Sequence, residues 1–185
     1  MPSQTWWYLA RSGGMVAWGL LAFSVFWGLA LSSRFLGKLP KPNWMLDLHR
    51  FLGGLAVIFT AVHVLALVGD SYISFGLVEV LIPFTGTYHS VAVAWGVIGM
   101  YLLLAVEITS LLRKRMSKKA WRATHYLSFP LFALTTVHLL WAGTDRSTFL
   151  LRYGSLLVVG VITVVTMIRL LKADQTQPRT LPSRS

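Results

Sequence analysis

The sequence predicts an all-α integral membrane protein, a bundle of five transmembrane helices. Composition is the first reason: the 185-residue chain is 55% hydrophobic and only 12% charged, whereas charged residues make up about a quarter of a soluble domain. The second reason is that the apolar residues fall into runs near the ~20 residues that cross a bilayer. The third is that the basic residues gather between alternate runs, as they do in membrane proteins.

Five apolar runs are long enough to cross a membrane as helices, whose backbone polar groups are satisfied within each segment. The first is longer than the apolar region of a usual signal peptide, and positive charges mostly follow it, so we interpret it as a span. The stretch SYISFGLVEVLIPFTGTYHS, between the second and third runs, is interrupted by Glu79 and Pro83 and predicts a cap on the outer face. The five runs are residues 14–31, 50–69, 90–112, 123–143 and 152–171.

The distribution of Lys and Arg predicts an outside amino terminus and a cytoplasmic carboxyl terminus. Fourteen of these 17 residues lie in the segments after the first, third and fifth runs, and three lie on the other side, Arg11, Arg146 and Arg152. Cytoplasmic segments carry the excess of basic residues. We expect one membrane domain over residues 1–172 and a disordered cytoplasmic tail over 173–185, whose polar, proline-containing sequence lacks apolar residues to bury.

Composition also excludes several classes of protein. The chain has no cysteine, so it forms no disulfide, thiolate-bound iron–sulfur cluster or covalently attached c-type haem. The net charge of +11 does not predict nucleic-acid binding, because the basic residues flank the membrane runs and form no separate stripe. A multi-pass protein of a plasma membrane is expected, and the short chain with its outside terminus favours a prokaryotic one.

Four histidines lie within the apolar runs, where an imidazole is costly unless a partner compensates for its burial. His49 and His63 are 14 residues apart, and His125 and His138 are 13 apart. Each interval spans ~20 Å of helix, and 14 residues bring His49 and His63 to within ~40° of the same face. Thirteen residues leave a mismatch of ~140° in an ideal helix, which a kink at Pro130 would reduce.

The predicted topology places these histidines at two depths. The second and fourth runs both cross from inside to outside, so His49 and His125 lie near the cytoplasmic ends and His63 and His138 near the outer ends. Each level therefore offers two imidazoles from facing helices, as ligation of a b-type haem by two histidines requires. Two levels predict two haems, with His49 and His125 as ligands of an inner iron and His63 and His138 as ligands of an outer iron.

Other interpretations of these histidines remain open at this stage. A single intramembrane histidine is a satisfied core residue or part of a proton relay. Four histidines with matching intervals and depths favour haem ligation over coincidence. A metal transporter is expected to gather its ligands at one depth together with carboxylates, whereas these four are divided between two depths.

Several residues near the inner histidines are candidates for contact with a haem. Gly53 and Gly54 would let a flat macrocycle approach the helix, and Arg50 and Arg122 would neutralise its propionates. Each feature also has an ordinary explanation, since glycines pack membrane helices and arginines flank cytoplasmic ends.

Two further ionisable residues have open roles. For Glu107 we expect an ion pair with Arg113, with proton relay as the alternative. For His89 we expect a surface position, with an outer acceptor site as the alternative.

At these residues the chain resembles the ferric-reductase-like transmembrane domain family. That family includes the membrane parts of NADPH oxidases and ferric reductases, and the haem-binding subunit of the bacterial methionine sulfoxide reductase system. The resemblance rests on HRFLG with its 14-residue histidine interval and on KKAWRATHYLSFPLFALTTVHLLWAG with its 13-residue interval, and it covers about residues 45–172. It implies the same two haem b groups, and electrons that run from a cytoplasmic flavin to an acceptor outside.

Two departures from the family refine this expectation. The chain ends soon after the fifth run and contains no G-x-G-x-x-G after a strand, so we expect the flavin on a partner protein. Oxidases of the family place a further histidine one turn beyond the outer ligand, where this chain has Leu67. Dedicated superoxide production is therefore not expected.

The leading hypothesis is an electron-transfer subunit of an oxidoreductase, and whether the chain is an enzyme by itself stays open. Its donor would be a cytoplasmic flavin reductase bound at the basic loop 113–122, and its acceptor a ferric chelate or an extracytoplasmic partner reductase. A dihaem cytochrome b that oxidises quinol is the first alternative, with Glu107 as the only candidate polar group of a quinone pocket. A haem-free transporter or assembly factor is the second.

Overall fold

A computed structural model describes residues 3–32, 43–71, 75–143 and 148–174 of the chain. Within these ranges the protein is helical and has no strand, which confirms the predicted all-α class. A 3₁₀ turn lies at Arg113–Arg115. The helices are α1 (Ser3–Ser32), α2 (Asn43–Gly69), α3 (Leu77–Leu81), α4 (Ser90–Leu111), α5 (Lys118–His125), α6 (Ser128–Ala142) and α7 (Phe149–Asp174).

Four of these helices are long and apolar enough to cross a membrane, namely α1, α2, α4 and α7. They contain or closely overlap four of the five predicted runs. The fifth run, 123–143, is not one helix, because α5 ends at His125 and α6 is a separate helix of 15 residues. The described part of the chain therefore has four helices that are long enough to cross, with the shorter α6 packed among them, and the fifth span stays a prediction.

Pro130 explains why the helix is interrupted between α5 and α6. Proline has no N–H to donate to the carbonyl of Tyr126, four residues earlier, and its ring crowds that carbonyl. The Tyr126 carbonyl accepts instead from the N–H of Phe129 at 3.2 Å. The helix is thus interrupted one turn before the proline, at the carbonyl that would accept from an N–H at position 130.

The interrupted turn changes the direction in which His125 points. Bonds between residues three apart give 3₁₀ geometry, in which each residue turns by about 120° instead of about 100°. The additional rotation reduces the angular mismatch that 13 residues of ideal α-helix would leave between His125 and His138. The helix is therefore interrupted in the turn before Pro130, where the sequence predicts a kink.

Side-chain contacts at both ends show how the helices run. α1 and α2 are antiparallel, since Trp27 Nε1 donates to the Met45 carbonyl at 2.9 Å near one end and His63 meets Ala10 near the other. α4 is antiparallel to α5 and α6, since Ala92 near its start meets His138 and Ser110 near its end meets His125. α2 runs parallel to α5 and α6, as the sequence predicts, because His49 lies against His125 and His63 lies against His138.

A layer of buried apolar side chains occupies the middle of the bundle. It contains Leu21 of α1, Ala56 of α2, Leu103 of α4 and Leu131 of α6. In its own helix each residue falls about midway between the positions that contact the outer and the inner histidines. This apolar layer separates the two histidine levels.

Two other parts of the chain complete the described structure. α7 is peripheral, and its exposed side chains, such as Leu157 and Val164, are apolar, as a lipid-facing surface requires. The predicted outer cap contains the short helix α3, held to α4 by a hydrogen bond from Tyr101 Oη to the Leu81 carbonyl at 2.7 Å. Phe75 and Val80 of the cap are buried.

Some predictions concern residues outside the described ranges. These are the tail from residue 175 onward and several of the charged residues used to predict the topology. Residues 173 and 174 of the predicted tail belong to α7. The topology residues outside the described ranges are Arg34, Lys38, Lys41, Arg146, Arg179 and Arg184.

Candidate haem-binding site

The four predicted histidines face each other in two pairs. His49 of α2 and His125 of α5, here called the inner pair, have ring centres 6.0 Å apart and ring planes at 74°. His63 of α2 and His138 of α6, the outer pair, have ring centres 6.2 Å apart and planes at 76°. The structure thus brings together the two histidines that the predicted topology places at each level.

One nitrogen of every imidazole has a partner on a neighbouring helix. In the outer pair, His63 Nδ1 lies 2.6 Å from the Ala10 carbonyl of α1, and His138 Nδ1 lies 2.8 Å from the Ala92 carbonyl of α4. A carbonyl only accepts, so each Nδ1 carries the proton and each Nε2 has a free lone pair.

The inner pair follows the same pattern with hydroxyl partners. His49 Nδ1 lies 3.3 Å from Ser24 Oγ of α1, and His125 Nδ1 lies 3.4 Å from Ser110 Oγ of α4. These contacts are longer than those of the outer pair and come from side chains instead of backbone. Metal-bound histidines are commonly oriented in this way, through a hydrogen bond from the second ring nitrogen.

The gap between the rings fits one metal atom at each level. Two metal–nitrogen bonds of about 2.0–2.1 Å in line would hold two imidazole centres about 6.3 Å apart, close to both observed separations. The described residues contain no group of three or more His, Asp or Glu side chains that would hold a bare metal ion. Two opposed imidazoles are the donor set of a haem iron, whose remaining ligands come from the macrocycle. The residues present therefore fit a haem at each level.

Three glycines that the sequence analysis did not identify bring helices against these rings. A Cβ at Gly14 would lie 2.9 Å from His63 Nδ1, and one at Gly28 would lie 3.2 Å from His49 Cε1. A Cβ at Gly96 would lie 2.7 Å from two atoms of the His138 ring. Gly14 and Gly28 are 14 residues apart on α1, the interval of His49 and His63 on α2, and this repeated interval is the signal that could have identified them.

The two predicted glycines have different surroundings. Gly53 faces the inner pair's cavity, and a Cβ there would lie 2.7 Å from Glu107 Oε2. Gly54 does not line that cavity, and a Cβ there would meet nothing within 4 Å.

A cavity surrounds each histidine pair. The outer one has about 210 Å³ and is lined by His63, His138 and residues of the outer cap such as Phe75. The inner one has about 490 Å³. Leu21, Leu103 and Leu131 line both, so the apolar layer forms the wall between them.

Four arginines line the inner cavity, of which the sequence analysis had identified Arg50 and Arg122 as site residues. Arg50 pairs with Asp47 at 3.3 Å on the exposed surface, and Arg122 donates to Tyr126 Oη at 3.3 Å. The sequence analysis did not identify the other two, Arg113 and Arg169, as site residues. Arg169 is 120 residues from His49 in the chain, and no local motif marks it.

The expected ion pair between Glu107 and Arg113 is absent. The Arg113 guanidinium instead lies 4.6 Å from the centre of the Trp121 ring. Trp121 in turn stacks on His125, with ring centres 5.1 Å apart and planes at 23°. A stack of guanidinium, indole and imidazole therefore holds one side of the inner pair, and the Trp121 Nε1 is buried without a hydrogen-bond partner among the described residues.

Two residues near the outer end complete the account of the predicted site. Leu67 lines the outer cavity. His89 lies on the surface, in contact with the Tyr88 ring, and does not line the outer cavity.

A family model described as ferric reductase like transmembrane component matches residues 13–136, about two thirds of the chain. The chain belongs to this family. The match contains His49, His63 and His125 and ends two residues before His138, and it confirms the resemblance drawn from the histidine motifs.

Membership of the ferric-reductase-like family implies a multi-pass membrane protein that takes part in transmembrane electron transfer. Such domains typically bind haem and work with redox partners. Neither a curated protein nor a solved structure matches the chain.

Substitution of Gly96 by alanine tests the close approach of α4 to His138. The added methyl group overlaps the ring, and we expect the free energy of unfolding to fall by about 1–3 kcal/mol. The matched control is Gly54→Ala, where the space is open and the better helix propensity of alanine should stabilise by up to about 1 kcal/mol. Denaturant titration of both variants in detergent measures the difference, and an equal effect at the two positions would contradict the packing described.

Proposed function

We propose that the protein carries electrons across a membrane through two b-type haems, one held by the inner pair and one by the outer pair. The observation that carries the proposal is the repeated arrangement at the two levels. At each level two imidazoles face each other across a gap suited to one metal atom, each with Nδ1 partnered and Nε2 free. Haem b, when bound, supplies one-electron chemistry, and its potential depends on ligands, hydrogen bonds and burial.

The protein's own residues would orient, surround and separate the two groups. The Nδ1 partners on α1 and α4 orient each imidazole ring, and the two carbonyl partners also fix the tautomer of the outer pair. Gly14, Gly28 and Gly96 allow those helices to approach the rings, and Gly53 opens the inner cavity on the α2 side. Arg50 and Arg122, together with the two other arginines of the inner cavity, would neutralise carboxylates there.

We propose that α5 and α6 together form a fifth crossing, with the amino terminus outside and the carboxyl terminus in the cytoplasm. Support comes from the described basic residues, since Arg50 and the segment from Arg113 to Arg122 lie at the end of the bundle that holds the inner pair. Basic segments favour the cytoplasmic side. On this proposal residues 1–172 form one haem-binding domain in a plasma membrane.

We propose that electrons enter from a cytoplasmic flavin reductase. The 3₁₀ turn and α5 present Arg113, Lys114, Arg115, Lys118 and Lys119 as exposed side chains. α5 also carries His125, so this basic surface directly adjoins the inner pair. A complementary acidic partner would be attracted to it and oriented by it.

We propose that electrons leave at the outer pair, to a ferric chelate or to an extracytoplasmic partner reductase. The outer cavity is covered by the cap that includes Phe75 and Val80, and Leu67 supplies no polar group to it. The outer cavity is mostly apolar, although Arg11 and Asp70 also line it, and its described lining has no histidine beyond the outer pair. Such a cavity suits transfer to an acceptor outside it better than binding of oxygen within it.

Counting haems in single-histidine variants tests the proposed cofactor. We expect about two b-type haems per wild-type chain and about one in either His63→Ala or His49→Ala, since removal of one axial ligand should empty or loosen one level. His89→Ala is the control and should retain two. Reduced-minus-oxidised absorbance with a haem-to-protein ratio gives the count, and a colourless wild type prepared with ample haem would favour a transporter or an assembly factor.

Charge reversal on α5 tests the proposed donor. In Lys118→Glu/Lys119→Glu we expect reduction by NAD(P)H and an acidic flavin reductase to slow about tenfold or more at low salt, because electrostatic attraction raises association rates. Arg152→Glu, a charge reversal at the opposite end of the bundle, should leave that rate unchanged. Stopped-flow absorbance at low and high salt measures the rate of haem reduction. Dithionite, a small reductant, is the control and should reduce all variants at the same rate.

The same assay separates the quinol alternative. If a reduced quinone reduces the haems without any flavin reductase, and the charge reversal on α5 does not change that rate, then quinol is the donor in place of the flavin reductase.

A further inference from the structure

Glu107 is an intramembrane carboxylate that the proposed electron path does not use. It lies in α4, whose sequence is otherwise apolar through most of its length. Its side chain is partly buried, lines the inner cavity and reaches across to the backbone of α2 at Gly53. Ionisable residues in such positions are rare and usually functional.

Glu107 has no counter-ion although four arginines line the same cavity. No basic side chain of the described residues lies within ion-pair distance of it, and no hydrogen bond to its carboxylate is present among them. Arg50 is engaged by Asp47, and Arg113 by the Trp121 ring. Arg122 donates to the Tyr126 hydroxyl, and Arg169 lies beside that same hydroxyl.

Titratable or charged groups of several elements line the inner cavity together with Glu107, whereas α1 and α6 contribute only apolar residues, serines and a glycine. α2 contributes His49 and Arg50, the turn after α4 contributes Arg113, α5 contributes Arg122 and His125, and α7 contributes Arg169, with Tyr126 at the interruption between α5 and α6. The arginines make the cavity positive overall, and Glu107 is its only carboxylate among the described lining residues.

We infer that Glu107 binds a proton when the inner pair's level gains an electron. This inference rests on the proposed function, because it requires a redox group between His49 and His125. One electron from the flavin reductase adds one negative charge to the cavity, and one proton from the cytoplasm converts the Glu107 carboxylate to the neutral acid. When the electron moves to the outer level the proton is released, so the charge of the inner cavity stays constant.

The geometry favours this role over a structural one. A carboxylate that served only to hold helices together would have a donor or a cation in contact, since an unpaired buried charge is costly. Among the described residues Glu107 has neither, but it borders a cavity that the exposed Arg50, Arg113 and Arg122 also line, so we expect water and protons to reach it from that side. A carboxyl group that has no donor or cation in contact can gain or lose a proton when the charge of its surroundings changes.

The test is the pH dependence of the two haem midpoint potentials in the full-length protein. In the wild type we expect one potential to fall as pH rises and the other to be nearly constant. In Glu107→Gln, which keeps size and loses the titrating group, both should be constant. Glu79→Gln, a change to the glutamate of the outer cap, should behave like the wild type.

A second measurement keeps the inference falsifiable if Glu107→Gln alters haem binding. Infrared difference spectra of the wild type, reduced minus oxidised, should show a carboxylic acid band that appears on reduction and is absent in Glu107→Gln. Two haems with pH-independent potentials and no such band would overturn the inference and leave the proposed function intact. A wild type that binds no haem would overturn both.

Discussion

A histidine buried in a membrane needs a partner for each of its ring nitrogens, and this requirement organises the bundle. Three of the four imidazoles lie in apolar helices and the fourth, His125, ends the short helix α5 beside the inner cavity, so unpaired polar atoms of the rings would be costly. α1 and α4 meet half of the requirement by offering a carbonyl or a hydroxyl to every Nδ1. The four Nε2 atoms have no such partner on α1 or α4 and remain available at the gaps between the rings. The bundle thus has two kinds of helices, one that carries the rings and one that orients them.

The glycines and the apolar layer follow from this division. A helix that offers its backbone or a short side chain to an imidazole must come close to it, which Gly14, Gly28 and Gly96 permit. Between the levels the packing returns to ordinary buried side chains, such as Leu131. The two levels nevertheless differ: the outer imidazoles are held by backbone carbonyls in a small apolar cavity, and the inner ones by serine hydroxyls in a larger cavity lined by arginines. Because hydrogen bonding, charge and burial all act on a redox group, two groups in these sites would have different potentials.

Much of this arrangement could be predicted from the sequence, for reasons that are specific to membranes. Intramembrane histidines are rare enough that their intervals carried information, so the pairing of His49 with His125 and of His63 with His138 was predictable. The residues that contact those histidines could not be predicted, because Ser24, Ser110 and the three glycines are ordinary residues of membrane helices. The position of the helix interruption, one turn before Pro130, and the stacking of Arg113 on Trp121 depend on local packing that no interval encodes. The assumed pair of Glu107 and Arg113 failed for the same reason: Arg113 has an aromatic partner that was not evident from the chain.

The central claim is that opposed imidazoles hold an iron at each of two levels. Electron paramagnetic resonance of the oxidised wild-type protein tests it most directly, because the low-spin ferric signal depends on the angle between the two imidazole planes. With planes at 74° and 76°, two highly anisotropic low-spin signals are expected, typical of near-perpendicular ligands, and His63→Ala should remove one of them. High-spin signals alone, or no ferric signal from protein supplied with ample haem, would contradict the account.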